Sequence, residues 1–162
     1  MTFKGILFAS IVATGLSTYA GTLAAVDIGL SPAGHFVGKT AEVKGQAEVK
    51  GDTVSASNII VNLKSLKTDI TLRDEHTLKH LEADKFPEAI LVSATGKGGK
   101  GEGVIKIKGI EKKISGTYSV KGNELEADFN LKLSDFKITG IKYMGIGVKD
   151  EVKLHVVVPV KK

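Results

Sequence analysis

A chain of 162 residues is long enough to form one compact domain that buries a core or encloses a cavity. The sequence contains no cysteine, which excludes disulfides, zinc–thiolate sites and cysteine nucleophiles. The formal net charge is +5, but all except one of the 23 basic residues are lysines, which argues against nucleic-acid binding because arginine usually reads bases and phosphates.

The first 20 residues have the layout of a secretory signal peptide. Lys4 supplies a positive start, residues 6–12 form a short apolar core, and small residues precede a cleavage site after Ala20. The apolar run is short and interrupted by Gly, Ser and Thr, which disfavours the alternative of an uncleaved membrane anchor. The sequence therefore predicts a signal peptide over residues 1–20, a mature domain over residues 21–162, and a periplasmic or secreted protein.

Most of the mature domain alternates apolar and polar residues in the two-residue period of a half-buried strand. Residues 41–50 alternate in this way, Gly51 and Asp52 predict a turn, and residues 53–63 are predicted to return as the second strand of a hairpin. Further strands, bounded by turn residues, are predicted at 89–95, 103–108, 113–121, 124–134 and 152–160.

Seven or eight antiparallel strands joined mostly by short turns can form either a sandwich or an up-and-down barrel. Successive hairpins favour the barrel, because a sandwich with Greek-key crossings needs longer connections. The predicted inward faces carry mostly Val, Ile, Leu and Ala, with few aromatic side chains. Such a barrel either has a solid core or leaves an apolar space that suits a lipid chain, and the residues alone leave both open.

The segment from Leu66 to Leu91 departs from the alternating pattern and predicts a short helix followed by a turn. Two of the four histidines, His76 and His80, are four residues apart and would share one face of this helix, where both could reach a metal. The segment lacks the glutamate that zincin motifs place directly after the first histidine. A structural role is therefore favoured over a metal site.

The only arginine of the chain, Arg73, lies in the same segment. A guanidinium has a fixed, forked geometry that can form paired hydrogen bonds with a carboxylate. The sequence therefore predicts that Arg73 is a structural clamp that holds the helix to the barrel. Its candidate partners are Asp135, Asp150 and Glu151.

No catalytic constellation emerges from the sequence. Serines are plentiful, but neither a GxSxG elbow nor an SxxK pattern is present. Paired carboxylates such as Glu124 and Glu126 lie on the predicted exposed face of a strand, where they serve solubility. The glycine- and lysine-rich run at residues 96–101 lacks the spacing of a phosphate-binding loop and predicts a hairpin turn. The sequence therefore predicts no catalytic residue, no metal and no cofactor.

Three segments, in order, are similar to motifs of the YceI-like family. Residues 65–89 contain a Ser-Leu-x-Thr turn, a helix with Arg-Asp-x-His and a Phe-Pro step into the next strand. Residues 105–114 resemble the family's x-Ile-Lys-Gly-Val-x-Lys hairpin, and residues 133–158 resemble its closing segment. Together with the intervening strands, the resemblance covers roughly residues 40–160.

The resemblance implies a lipocalin-like, eight-stranded antiparallel barrel with one short inserted helix near one end. It also implies an exported protein that binds an amphipathic long-chain lipid, such as a polyisoprenoid, an isoprenoid quinone or a fatty-acid derivative, and a family association with stress response. Family members commonly begin with a longer segment that supplies a first strand. Here residues 26–39 are short and broken by Pro32, Gly34 and Gly38, which predicts a weak or missing first strand.

The leading hypothesis is therefore a non-enzymatic, exported protein that sequesters or transports such a lipid inside the barrel. Transient contact with a membrane and formation of a homodimer are possible further interactions, and no nucleic-acid partner is expected.

Candidate lipid-contacting residues come from the alternating faces, with Phe86 and Tyr143 at the mouth. The others are Val43, Val54, Val92, Ile105, Tyr118, Leu125, Phe129, Leu131, Leu154, Val156 and Val158. The alternatives are a metal-dependent envelope enzyme using His76 and His80, and a structural envelope domain with a solid core.

Overall fold

The computed structural model describes residues 22–143 and 145–161, so the predicted signal peptide lies outside the described residues. The described part of the chain contains one α-helix, α1 (Thr71–His80), and two 3-10 turns, Leu63–Ser65 and Leu133–Phe136. None of its helices is long and apolar enough to cross a membrane. Its strands are β1 (Leu23–Ser31), β2 (His35–Thr40), β3 (Val43–Lys44), β4 (Ala47–Lys50), β5 (Thr53–Asn62), β6 (Glu88–Lys97), β7 (Lys100–Ile107), β8 (Ile110–Lys121), β9 (Glu124–Lys132), β10 (Lys142–Tyr143) and β11 (Ile146–Lys161).

The strands form a closed barrel, as the alternating sequence pattern predicts. Seven of the described strands make a ring in the order β11–β4–β5–β6–β7–β8–β9, and β9 pairs back with β11. The neighbours are antiparallel except for a short parallel contact between β4 and β11 at Val160 and Lys161. β1 and β2 extend the sheet beside β11. The prediction of an all-β, lipocalin-like antiparallel barrel with one inserted helix is confirmed.

The hydrogen-bonded ring has seven strands where eight were predicted. The strand predicted over residues 41–50 is divided into β3 and β4, and β1 and β2 lie outside the ring. β2 pairs with β1, whereas β3 and β4 pair with β5. Gly45, with a φ of +117°, bends the chain between β3 and β4, and this backbone conformation strongly favours glycine.

The prediction of a weak or missing first strand is wrong. β1 is nine residues long and pairs with both β11 and β2. Pro32 and Gly34 lie in the turn between β1 and β2, where they interrupt neither strand. Gly38 lies within β2 and is buried, and a Cβ atom there would lie 3.3 Å from the Cγ of Leu66. The absence of a side chain at Gly38 thus allows Leu66 to pack closely against β2.

The buried apolar residues form two clusters. The first lies at the end of the barrel where β5 stops and β6 begins, and it includes the fully buried Phe136 together with Ile105, Leu131 and Val152. The second lies toward the opposite end and consists of Ala24, Val43, Ala47, Ile59, Leu125 and Val158. Neither cluster fills the barrel, because the region between them is a cavity.

The helix α1 lies at the same end as the first cluster, between β5 and β6 in the chain. None of its own residues is fully buried, but Leu81, directly after it, packs against the first cluster and lines the cavity. Asp74 in its first turn and Lys79 in its last turn complement the helix dipole. The short helix therefore owes its position mainly to contacts made by its flanking residues and by Arg73.

Candidate functional site

The barrel encloses an apolar cavity of about 220 Å³. Its wall is built by residues of β1, β4 to β9 and β11, so it extends along the barrel. The inward side chains are aliphatic, small or aromatic, and the acidic residues at its edge, Glu102 and Asp128, are solvent-exposed. The presence of this cavity removes support for the alternative of a structural domain with a solid core.

Space inside the barrel arises from two rows of small residues that the strand register places side by side. All of them line the cavity, and each row follows the hydrogen-bonded partners from strand to strand. The first row, on β4 to β7, is Ala47, Ala56, Ala94 and Gly103. The second row, on β6 to β8, is Gly96, Gly101 and Gly116. Larger side chains at these positions would occupy the space, because they point into the barrel.

The glycines also permit unusually close contact between neighbouring strands. A Cβ atom on Gly103 would lie 2.6 Å from the carbonyl oxygen of Ser93. A Cβ atom on Gly96 would lie 2.5 Å from Cε1 of Tyr118, whose ring therefore lies directly against the glycine backbone. These residues escaped the sequence prediction, although glycines at alternate positions within a strand are a recognisable sign of close backbone approach.

Most of the predicted lipid-contacting residues lie on the wall of this cavity. Their contact with a lipid remains a prediction, but the alternating pattern assigned their inward direction correctly on β5, β7, β8, β9 and β11. They are Val54, Ile105, Tyr118, Leu125, Phe129, Leu131, Leu154, Val156 and Val158.

The other predicted contacts lie elsewhere. Val43 is buried in the second cluster and does not line the cavity. Phe86 lies in the segment between α1 and β6, with its ring 3.5 Å from the position that a Cβ of Gly109 would occupy. The side chain of Tyr143 lies outside the part of the chain that the structure describes. The predicted mouth at Phe86 and Tyr143 therefore gains no structural support.

Val92 is displaced from the wall by a β-bulge. The pairing of β6 with β7 shifts between Leu91 and Ser93, so Val92 is the extra residue of the bulge. An extra residue reverses the two-residue alternation, and Leu91 before the bulge and Ala94 after it both line the cavity. The sequence pattern alone could not locate this change of parity, because a bulge depends on how the neighbouring strand pairs.

A second cavity, of about 350 Å³, lies beneath α1. Its wall combines α1 with β1, the start of β11 and the segment that precedes β11. The two cavities have part of their walls in common, namely Val26, Leu66, Leu81, Leu133, Ile138 and Val152. Three exposed apolar side chains, Ile70, Leu72 and Ile146, stand at the edge of the second cavity.

Arg73 fixes α1 to its surroundings, but the predicted type of partner is wrong. Its Nη2 donates a hydrogen bond of 2.6 Å to the carbonyl oxygen of Thr68, and its guanidinium lies over the ring of Phe36 at 4.2 Å from the ring centre. The predicted carboxylate partners were Asp135, Asp150 and Glu151. Asp150 instead accepts hydrogen bonds from the backbone nitrogen and the Oγ of Ser134. There the side-chain and backbone hydrogen bonds from Ser134 lower the pKa of the Asp150 carboxyl.

Replacing Arg73 with lysine is expected to lower the free energy of unfolding by about 1–2 kcal/mol. Lysine keeps the charge but loses the planar group that stacks on Phe36 while donating to Thr68. Urea unfolding monitored by circular dichroism measures the change. Lys79→Arg, at an exposed position of the same helix, is the control, and an Arg73→Lys protein as stable as wild type would contradict the clamp.

The two histidines of α1 face the second cavity. Within residues 22–143 and 145–161, no group of three or more His, Asp and Glu side chains is arranged to hold a metal ion. Burial, and secondarily the nearby His76, lower the pKa of His80 below its ordinary value. The alternative of a metal-dependent enzyme at His76 and His80 therefore finds no supporting geometry in the described residues.

A closed antiparallel barrel around an apolar cavity defines a lipocalin-like class of hollow barrel proteins. Within that class the sequence matches the YceI-like domain over residues 18–160. The chain belongs to the YceI-like family. A comparison with curated proteins finds no match.

Solved structures of similar fold include three informative examples. Burkholderia cenocepacia BcnA has a TM-score of 0.65 at 17% identity, and the match covers 86% of this chain and 98% of BcnA. A polyisoprenoid-binding domain from Saccharophagus degradans, implicated in plant cell wall breakdown, has a TM-score of 0.55 at 9% identity and covers 84% and 91%. A mutant CJ YceI protein with a monobromobimane guest has a TM-score of 0.53 at 17% identity and covers 77% and 85%. At these identities the likeness concerns the fold.

Proposed function

We propose that this protein is an exported, non-enzymatic binding protein that holds an amphipathic long-chain lipid inside its barrel. The observation that carries the proposal is the apolar cavity, whose space depends on the two rows of small residues. Membership of the YceI-like family and the fold shared with a polyisoprenoid-binding domain support a polyisoprenoid or a related lipid as the ligand class.

The binding energy of such a ligand would come from removing its tail from water. Burial of apolar surface contributes about 25 cal/mol per Å². The aliphatic wall offers dispersion contacts along the whole tail and few polar groups that could direct a reaction. This favours sequestration or transport of the lipid over its chemical conversion.

Export is part of the proposal and rests on the sequence pattern of residues 1–20. A periplasmic or secreted carrier must collect its lipid from a membrane or from another protein, so transient membrane contact belongs to the same proposal. The exposed Ile70, Leu72 and Ile146 at the edge of the second cavity are suitable for such contact. Homodimer formation remains a separate prediction that sedimentation velocity would test.

Native mass spectrometry of the purified protein tests the proposal directly. We expect the protein to carry a bound species of lipid mass that extraction with organic solvent removes. The extracted protein should then bind a fluorescently labelled isoprenoid with saturation. A protein that shows only the mass of its own chain and fails to bind the labelled isoprenoid would overturn the proposed function.

A further inference from the structure

The second cavity differs from the first in its charged groups. Most of its wall is aliphatic, but its ionisable wall residues among those described are all basic. They are Arg73, His76, His80 and Lys142. The apolar cavity in the barrel thus adjoins, across shared wall residues, a second cavity with basic side chains.

Two carboxylates close to the second cavity in the chain, Asp74 and Glu82, are engaged with other partners. Asp74 accepts hydrogen bonds of 2.6 Å from both the backbone nitrogen and the Oγ1 of Thr68. Glu82 forms an ion pair with Lys108 at 2.9 Å. Arg73 and Lys142 carry permanent positive charges, and the described wall of the second cavity contains no carboxylate, so the cavity favours an anion.

Arg73 adds a donor that the protein itself leaves unused. Its Nη2 is bonded to Thr68 and its plane is held by Phe36, but its Nε atom is buried without a hydrogen-bond partner among the described residues. A buried donor without a partner destabilises the fold, because it has lost its hydrogen bonds to water. An acidic oxygen bound at this cavity would supply a partner for a guanidinium whose position is already fixed.

The location of the second cavity suits a charged group. It adjoins the surface at Ile70, Leu72 and Ile146, which are 42–51% exposed. A head group there can keep part of its hydration while its tail enters the apolar barrel, which reduces the large desolvation penalty of a fully buried charge. Neighbouring positive charges also contribute to the lowered pKa of His80, after burial, which is consistent with a positive local potential.

We propose that the second cavity binds the acidic head group of the lipid, so that the protein selects phosphate- or carboxylate-bearing amphiphiles over neutral ones. This inference rests on the proposed function, because the tail is assigned to the barrel cavity. It narrows the ligand class, since an isoprenoid phosphate or a fatty acid satisfies it and a neutral isoprenoid quinone does not.

The test compares ligands with identical tails. Delipidated protein is titrated by calorimetry, at low salt, with geranylgeranyl monophosphate and with geranylgeraniol, and separately with palmitate and hexadecanol. We expect at least one acid to bind about tenfold or more tightly than its alcohol, and the pair with the larger ratio identifies the head group. Inorganic phosphate alone should bind far more weakly. If it bound as tightly as the lipid phosphate, the site would be a separate anion site and the proposal would be overturned.

Substitutions test whether the preference for acidic ligands arises at the second cavity. The Lys142→Gln and His80→Gln double variant should bring the ratio of acid to alcohol affinity toward one, because it weakens binding of the acid much more than binding of the alcohol. Lys112→Gln removes a charge from an exposed position on β8 and should preserve the ratio. Equal affinity of the wild type for acids and alcohols would overturn the head-group site but leave the proposed function intact, whereas failure of all four lipids to bind would overturn both.

Discussion

Replacing Ala127 with phenylalanine is expected to weaken isoprenoid binding by more than about 100-fold. Ala127 lies on β9 between Tyr118 and Val156 in the paired strands, and it lines the cavity. A phenyl ring at this position would displace roughly four methylene groups of a bound tail, each of which contributes about 0.8 kcal/mol on burial. The resulting loss of about 3 kcal/mol corresponds to a decrease in affinity of more than 100-fold.

Calorimetric titration with a long-chain isoprenoid measures this effect, and thermal unfolding shows whether the variant is folded. Ala41→Phe, at an exposed position between β2 and β3, is the matched control and should bind as wild type does. Ala56→Phe on β5 blocks the same cavity from another part of the wall and guards against a local folding defect at Ala127. Undiminished binding by both folded variants would show that the lipid does not occupy the barrel cavity.

Replacing Gly116 with alanine is expected to lower the free energy of unfolding by about 2–4 kcal/mol. A Cβ atom at this position would collide with the carbonyl oxygen of Asp128 and lie 2.8 Å from the Cβ of Phe129. Because these atoms belong to β9, the neighbouring strand of the ring, they cannot move aside as a flexible side chain could. The substitution must separate β8 from β9 or distort their pairing.

Urea unfolding monitored by circular dichroism measures the loss of stability at Gly116. The matched control is Gly147→Ala on β11, where the nearest atom to an added Cβ is the carbonyl oxygen of Ile141 at 3.9 Å. This control should change stability little or raise it slightly, since alanine restricts the unfolded chain. Equal stability of the two variants would contradict the close approach of β8 and β9.

Much of the fold follows from local sequence patterns. The alternation of residues 124–134 predicts β9, observed as Glu124–Lys132, and Gly51 with Asp52 forms the predicted turn between β4 and β5. The helix predicted between Leu66 and Leu91 is α1. These elements are predictable because side-chain alternation and turn residues act over a few positions.

The errors concern features that depend on distant parts of the chain. The first strand forms because β1 gains partners on both edges, from β2 and from β11, and Pro32 and Gly34 lie in the turn that follows it. Arg73 donates to Thr68 and stacks on Phe36, and no local pattern relates Phe36 to a helix that begins 35 residues later at Thr71. Likewise, the bulge at Val92 is set by the pairing of β6 with β7.

The sequence by itself therefore determined an antiparallel barrel with aliphatic inward faces, because a period of two fixes which side of a strand each residue occupies. Only the tertiary structure decided that the barrel is hollow. The small residues Ala56, Ala94, Gly101 and Gly116 are far apart in the chain, and strand register is what aligns them across neighbouring strands. The basic second cavity likewise exists only because α1 and the segment before β11 fold together against β1.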